Sequence, residues 1–111
     1  MDQKLLLDLK ERLQQLLSFI KENEKSTKPY FYRFLETMVH NIQIWVEGNC
    51  RDTGELIKFI KEDWNCANEA HTGIPEYGIW CDDYETRKNL NIIFRNIVFE
   101  IDEILNNISD R

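Results

Sequence analysis

Residues 82–108 have the sequence DDYETRKNLNIIFRNIVFEIDEILNNI, and this stretch decides the fold class. Its apolar residues recur at spacings of three and four: Leu90, Ile93, Phe94, Ile97, Val98, Ile101, Ile104, Leu105 and Ile108. That period describes one face of an α-helix, and the alternation of a strand never holds for more than a few residues. Asp82 and Glu85 have the spacing of a capping box in which Asp replaces Ser. The pattern therefore predicts a long helix that begins beside Asp82.

Three earlier stretches show the same helical period. They run from about Asp2 to Asn23, from Pro29 to Gly48, and from Asp52 to about Ala70. Pro29 suits a first helical turn, and Asp52 with Glu55 forms a second capping box. The predicted buried faces are Leu5, Leu6, Leu9, Leu13, Leu16, Leu17 and Ile20; Phe31, Phe34, Leu35, Met38, Val39, Ile42, Trp45 and Val46; and Leu56, Ile57, Ile60, Trp64 and Ala67.

The length of the chain and of its connections limits how these helices are arranged. A chain of 111 residues has room for one core, and we assign residues 1–111 to a single helical domain. Because the first two connections are short, each of the first three helices should run antiparallel to its sequence neighbour. The third connection, residues 71–81, is longer. The sequence thus predicts an all-α, up-and-down four-helix bundle with a longer aromatic and acidic loop between helices 3 and 4.

The N-terminus and the cysteines indicate a cytoplasmic protein. Charges interrupt the apolar residues of the N-terminus too early for a secretory signal, and no run is long enough to span a bilayer. Cys50, Cys66 and Cys81 form an odd and sparse set, which is typical of reduced thiols in a cytosol.

Some apolar residues lie off the main helical stripes. They could widen the core or form a partner surface, but scattered apolar residues are common on protein surfaces. We therefore take them as ordinary surface residues at this point: Phe19, Ile44, Phe59, Ile92 and Phe99.

The negative charge of the chain is concentrated in one window. The net charge is -6, and residues 62–86 contain no Lys or Arg but seven acids, whereas the rest of the chain has 13 acids and 14 bases. The same window contains aromatic residues, which can anchor a partner while acids steer a basic one. The alternative is that the loop caps the end of the bundle and the acids serve helix starts and solubility. The candidate partner-binding residues are Glu62, Asp63, Glu69, Glu76, Tyr77, Trp80, Asp82, Asp83, Tyr84 and Glu85.

The spacing of the cysteines and histidine does not favour a metal site. Cys66, His71 and Cys81 could ligate a metal with Asp82 as a fourth ligand. Zinc sites favour tight pairs such as Cys-x-x-Cys, because a short turn then presents two sulfurs to one ion. The spacings here are four and nine intervening residues, so we predict neither a metal nor a cofactor.

Arg33 and His40 are separated by six residues. This spacing resembles the Arg-x4-6-His signature of HEPN ribonucleases, which are also small helical bundles. The resemblance implies that the two side chains act together on phosphate chemistry, often after dimerisation. A HEPN-like ribonuclease is therefore one alternative function.

The size, acidity, helical content and acidic-aromatic stretch resemble the small helical immunity proteins that bacteria make against toxins. That resemblance implies a non-enzymatic inhibitor that covers a basic toxin, such as a nuclease. A phage-type inhibitor of a host defence enzyme is a second alternative. It would bind through the same kind of acidic and aromatic surface, but to a different protein. An acidic domain repels phosphate backbones, so we expect no direct nucleic-acid binding. We also expect no membrane partner. The sequence does not decide whether the chain forms a homo-oligomer.

Overall fold

Four α-helices form the described part of the computed structural model, which comprises residues 2–48, 53–70 and 72–108. In chain order they are α1 (Asp2–Asn23), α2 (Tyr32–Glu47), α3 (Gly54–Ala67) and α4 (Tyr84–Asn107). A short 3-10 turn, Ile74–Glu76, interrupts the connection between α3 and α4, and the described residues contain no strand. The all-α class and the four-helix bundle are therefore confirmed. None of the described helices has the length and apolarity that a membrane crossing requires.

The helix ends differ from the predicted ones by up to three residues. α2 begins at Tyr32 rather than Pro29, because Pro29 starts a turn in which its carbonyl accepts from the Tyr32 amide at 3.0 Å. α3 ends at Ala67 rather than Ala70, where the Asn68 side chain donates to the Trp64 carbonyl at 2.8 Å. The predicted cap Asp52 lies outside the described residues.

The N-cap of α4 is Asp83 and not the predicted Asp82. Asp83 has an extended backbone, and its carboxylate accepts from the Thr86 amide at 2.9 Å and from the Thr86 hydroxyl at 2.7 Å. The capping interaction is thus of the predicted kind but lies one residue later, since both neighbouring acids can supply the acceptor.

The core lies along the predicted stripes. Every helix contributes a buried face: Leu6, Leu9, Leu13, Leu16 and Ile20 from α1; Leu35, Met38, Ile42 and Trp45 from α2; Ile57, Ile60, Trp64 and Ala67 from α3; and Phe94, Ile97, Ile101 and Leu105 from α4. The prediction for Ile93 is wrong, because the buried arc of α4 is centred on Phe94 and Ile97, and the Ile93 side chain stays exposed.

The order of the helices follows from their contacts. α1 packs against α2 and α4, and α2 packs against α3. An ion pair between Arg12 and Glu100, 3.3 Å apart, joins α1 to α4. The side chains of Trp64 and Lys61 on α3 donate to the Asp102 carboxylate and the Ile108 carbonyl, at 2.6 Å and 3.1 Å. These hydrogen bonds place α3 beside the C-terminal half of α4.

Candidate functional site

The N-terminal half of α4 is covered by residues 72–83, which we call the α3–α4 loop. Arg95 donates to the carbonyls of Ile74, at 2.9 Å, and Tyr77. The side-chain amide of Asn91 accepts from the Ile79 N–H through its Oδ1 at 2.7 Å and donates to the Ile79 carbonyl through its Nδ2 at 3.0 Å. Because Ile74 and Ile79 are buried, the loop packs on the bundle rather than projecting from it.

Tyr77 attaches the loop to the other helices. Its ring makes edge-to-face contacts with Phe31 and Phe94, with centroid distances of 5.2 Å and 5.4 Å. Its hydroxyl donates to the Glu24 carboxylate at the end of α1. Tyr77 was predicted as an anchor for a partner. The structure places its side chain half-buried, where it holds the loop in position.

The hydrogen bond between Tyr77 and Glu24 shifts both pKa values. Burial and the nearby Glu24 carboxylate raise the pKa of Tyr77, because both disfavour the phenolate. The Tyr77 hydroxyl, and more weakly Ser26, lower the pKa of Glu24, because they donate to its ionised form. The pair is therefore most stable with Tyr77 protonated and Glu24 ionised.

Replacing Tyr77 with Phe should lower the free energy of unfolding by about 1 kcal/mol at neutral pH, because the bond is partly exposed to solvent. The lowered pKa of Glu24 adds stability above its ordinary value of 4.5, and this is lost as the pH falls through the folded value. The raised pKa of Tyr77 adds stability below its ordinary value of 10.0, and this is lost as the pH rises through the folded value.

Urea denaturation of wild type and Tyr77→Phe at several pH values measures this difference. We expect the largest difference between the two ordinary pKa values, 4.5 and 10.0, and a smaller one at about pH 3. A difference that did not change with pH would contradict the assignment of the hydroxyl to Glu24.

Two aromatic side chains, one near the end of the α3–α4 loop and one at the start of α4, are exposed to solvent. Trp80 is 70% exposed and Tyr84 is 61% exposed. The guanidinium of Arg87 lies over the Trp80 ring, 4.3 Å from its centroid, and 5.5 Å from the centroid of Tyr84. It also donates to the Cys81 carbonyl at 3.4 Å. We call Trp80, Tyr84 and Arg87 the aromatic platform.

Four of the seven candidate acids lie close to this platform in sequence: Glu76 precedes it, and Asp82, Asp83 and Glu85 fall between its members. Glu76, Asp82, Asp83 and Glu85 are all exposed. The side chain and backbone of Thr86 donate to Asp83 and lower the pKa of its carboxyl, which keeps it ionised. We take the platform with Asp82, Asp83 and Glu85 at the N-terminal end of α4, together with Glu76 in the α3–α4 loop, as the candidate partner-binding surface.

The remaining candidate acids lie on or directly after α3. Glu62 is exposed, and Asp63 is half-buried, where burial and the charge of Glu62 raise the pKa of its carboxyl. Glu69 borders a groove of about 500 Å³ between α2 and α3. The other residues that line this groove are Tyr30, Phe34, Cys66 and Thr72. The structure thus divides the predicted window into two regions.

Residues 62–86 contain no Lys or Arg, but the fold brings two arginines from outside this window next to it. Arg87 and Arg95 belong to α4, outside the window, and both donate to carbonyls of the α3–α4 loop. The sequence pattern missed these two residues and Asn91, because which loop they bind depends on the tertiary fold. The acidic surface is therefore smaller than the window of residues 62–86 suggests.

Arg33 and His40 both lie exposed on α2. The guanidinium of Arg33 lies 5.9 Å from the centroid of the Tyr30 ring. His40 lines an open groove of about 750 Å³ between α1 and α2, together with Lys10, Lys21 and Glu36 among others. Seven positions of helix separate Arg33 from His40 by about 10 Å along the axis.

The residues considered for a metal do not form a cluster in the described part of the chain. Within residues 2–48, 53–70 and 72–108, no three His, Cys, Asp or Glu side chains lie close enough together to hold an ion. His71, which was considered as a ligand, lies outside the described residues. Cys66 and Cys81 are free thiols.

No protein-family model, curated protein or solved structure matches this chain. The resemblances to HEPN ribonucleases and to immunity proteins therefore stay predictions, and the functional interpretation depends on the geometry of the site.

Proposed function

We propose that this chain is an immunity-type protein that binds and neutralises a basic protein toxin, with a nuclease domain as the toxin. The aromatic platform and the acids Glu76, Asp82, Asp83 and Glu85 would form the contact. Neutralisation would occur by occlusion, because acids that pair with the toxin's basic residues deny those residues to RNA or DNA.

The exposure of Trp80 is the observation that supports this proposal. Trp80 is the most exposed of the large apolar side chains in the described part of the chain. Burial of about 150 Å² of its surface against a partner would contribute roughly 3–4 kcal/mol before the costs of association. Trp and Tyr are also the side chains that most often dominate binding energy at interfaces.

Arg87 makes the platform suitable for binding, since it restricts the Trp80 ring before a partner arrives. The guanidinium contacts the ring face and also binds the Cys81 carbonyl, next to Trp80 in the chain. A side chain that is already ordered loses less conformational entropy on association. The loop that supports Trp80 is itself fixed on α4 by Asn91 and Arg95.

The acids favour a positively charged partner. They are exposed and lie close to the platform in sequence, and Arg87 is engaged with the aromatic rings. Exposed charges of this kind mainly raise the association rate and set specificity, and their effect falls as salt is added. A basic nucleic-acid-binding face is the complement that such a surface fits.

Affinity purification from a lysate of the organism that encodes the chain tests the charge part of this proposal. The wild-type bait should retain one basic protein in near-equal amount at about 50 mM salt and less of it at about 500 mM. A Glu76→Lys, Asp82→Lys and Glu85→Lys variant should lose it. Asp83 is left unchanged in this variant, because its carboxylate caps α4.

A charge-matched control separates a local effect from one of net charge. The variant Asp8→Lys, Glu11→Lys and Glu22→Lys makes the same change in charge on α1 and should still retain the partner. The purified partner should lose its activity when wild-type chain is added in equal amount. Retention by the first variant, or an active partner in the complex, would contradict the proposal.

Two alternatives have separate tests. A phage-type inhibitor would bind in the same way, and the identity of the captured protein, a host defence enzyme rather than a toxin, would distinguish it. A HEPN-like ribonuclease would use His40 in the groove that also contains Lys10 and Lys21. Cleavage of RNA by the purified chain, lost in His40→Ala, would support the ribonuclease and count against the inhibitor.

A further inference from the structure

The outer face of α4 has no partner within the described part of the chain. α1 packs on one side of α4 through Glu100, and α3 and the α3–α4 loop pack on another side through Asp102, Asn91 and Arg95. The face between them contains Ile92 and Phe99, which are 49% and 63% exposed. Exposed apolar side chains are common when they are scattered, so the inference depends on how the residues around these two are arranged.

The residues around Ile92 and Phe99 form a regular stripe. Lys88, Ile92, Asn96, Phe99 and Glu103 follow each other at spacings of three and four, so their side chains fall within an arc of about 100°. The stripe is about 22 Å long. It has a positive charge at its N-terminal end and a negative charge at its C-terminal end, and the two apolar residues lie between them.

The residues of this stripe are placed symmetrically about its centre, with apolar residues at matching positions and opposite charges at the two ends. The centre of the stripe falls between Arg95 and Asn96. Lys88 lies seven or eight positions before this centre, and Glu103 lies the same distance after it. Ile92 and Phe99 are also equidistant from the centre. Neither Lys88 nor Glu103 forms an ion pair with another described residue. A face with this symmetry is complementary to itself when one copy is turned end for end.

We propose that the outer face of α4 binds a second copy of this chain, with the two α4 helices antiparallel. Ile92 packs against the partner's Phe99, and Lys88 pairs with the partner's Glu103; the dyad repeats both contacts. At the dyad, Arg95 lies beside the partner's Asn96. The guanidinium of Arg95 is held by the carbonyls of Ile74 and Tyr77, so it is turned toward its own loop.

The size of the stripe sets the strength of the dimer. One pair of helices with two apolar residues each buries less than a standard interface, so the dissociation constant should be on the order of 10–100 µM. In the dimer the two aromatic platforms lie near opposite ends of the helix pair, about 35 Å apart along the axis. The inference does not depend on the proposed function, because the two surfaces share no residue.

Sedimentation equilibrium of the purified chain tests the dimer. Wild type should pass from monomer to dimer between about 1 µM and 1 mM. Lys88→Glu and Glu103→Lys should each raise the dissociation constant about 10-fold. In either variant, positions 88 and 103 of the two copies carry the same charge, and the dyad repeats this repulsion at both ends of the helix pair. The double variant restores opposite charges and should return to within about 3-fold of wild type.

Two further variants complete the test. Phe99→Asp removes the apolar centre and should leave only monomer, whereas Lys58→Glu on α3 should dimerise as wild type does. Circular dichroism of each variant checks that the helices are intact. A wild-type chain that stays monomeric at about 1 mM overturns the proposal, and so does a dimer that neither single charge reversal weakens.

Discussion

Replacing Phe94 with Ala is expected to lower the free energy of unfolding by about 3–5 kcal/mol. Phe94 is fully buried, and its ring makes an edge-to-face contact with Tyr77, the residue that attaches the α3–α4 loop to the bundle. Truncation would leave a cavity in the core between α4 and the α3–α4 loop. Since small domains have a total stability of about 5–15 kcal/mol, the variant should be close to unfolding at 37 °C.

The matched control for this change lies on the same helix. Phe99 is five residues further along α4 but on the outer face, and Phe99→Ala should change the stability by no more than about 0.5 kcal/mol. Urea denaturation of both variants at about 1 µM keeps self-association out of the comparison. Similar losses in the two variants would contradict the placement of the core.

Replacing Gly73 with Ala should also be strongly destabilising, by at least about 2–3 kcal/mol. A Cβ atom at Gly73 would lie 2.3 Å from the Ala67 carbonyl oxygen and 2.6 Å from the Glu69 amide nitrogen. Both atoms are backbone at the end of α3, so no side chain can move aside to relieve the contact. The loop would have to leave its position on α4.

Gly78 in the same loop provides the control for this steric effect. A Cβ atom at Gly78 would meet only the side chain of Asn91, at 3.3 Å, and a shift of a few tenths of an ångström, which keeps the hydrogen bonds of Asn91 to Ile79, relieves that contact. Gly78→Ala should therefore cost less than about 1 kcal/mol in the same urea titration. If Gly73→Ala were as stable as Gly78→Ala, the tight turn after α3 would be placed incorrectly.

The helices could be predicted from the sequence because each buried face depends on local periodicity. Leu6 to Ile20 on α1 and Phe94 to Leu105 on α4 repeat at helical spacing, and no other regular structure fits that pattern. The ends of the helices could not be predicted to the residue, since neighbouring residues offer equivalent caps. Asp82 and Asp83 are chemically identical, and only the path of the loop selects Asp83.

The candidate site could be predicted only in part. The sequence places Tyr77 and Trp80 three residues apart in one loop and gives no reason to treat them differently. Tyr77 turns inward because the bundle brings Phe31, Phe94 and Glu24 to its ring and hydroxyl. These contacts join residues that are far apart in the chain, so they depend on the tertiary fold.

We propose that Trp80 anchors a basic protein partner. Affinity purification with equal amounts of wild-type, Trp80→Ala and Ile44→Ala baits tests it directly, because Ile44 is also an exposed apolar residue but lies on α2, near the other end of the bundle. We predict that Ile44→Ala recovers as much of the basic partner as wild type and that Trp80→Ala recovers less than about a tenth. Equal recovery by Trp80→Ala and wild type would contradict the claim.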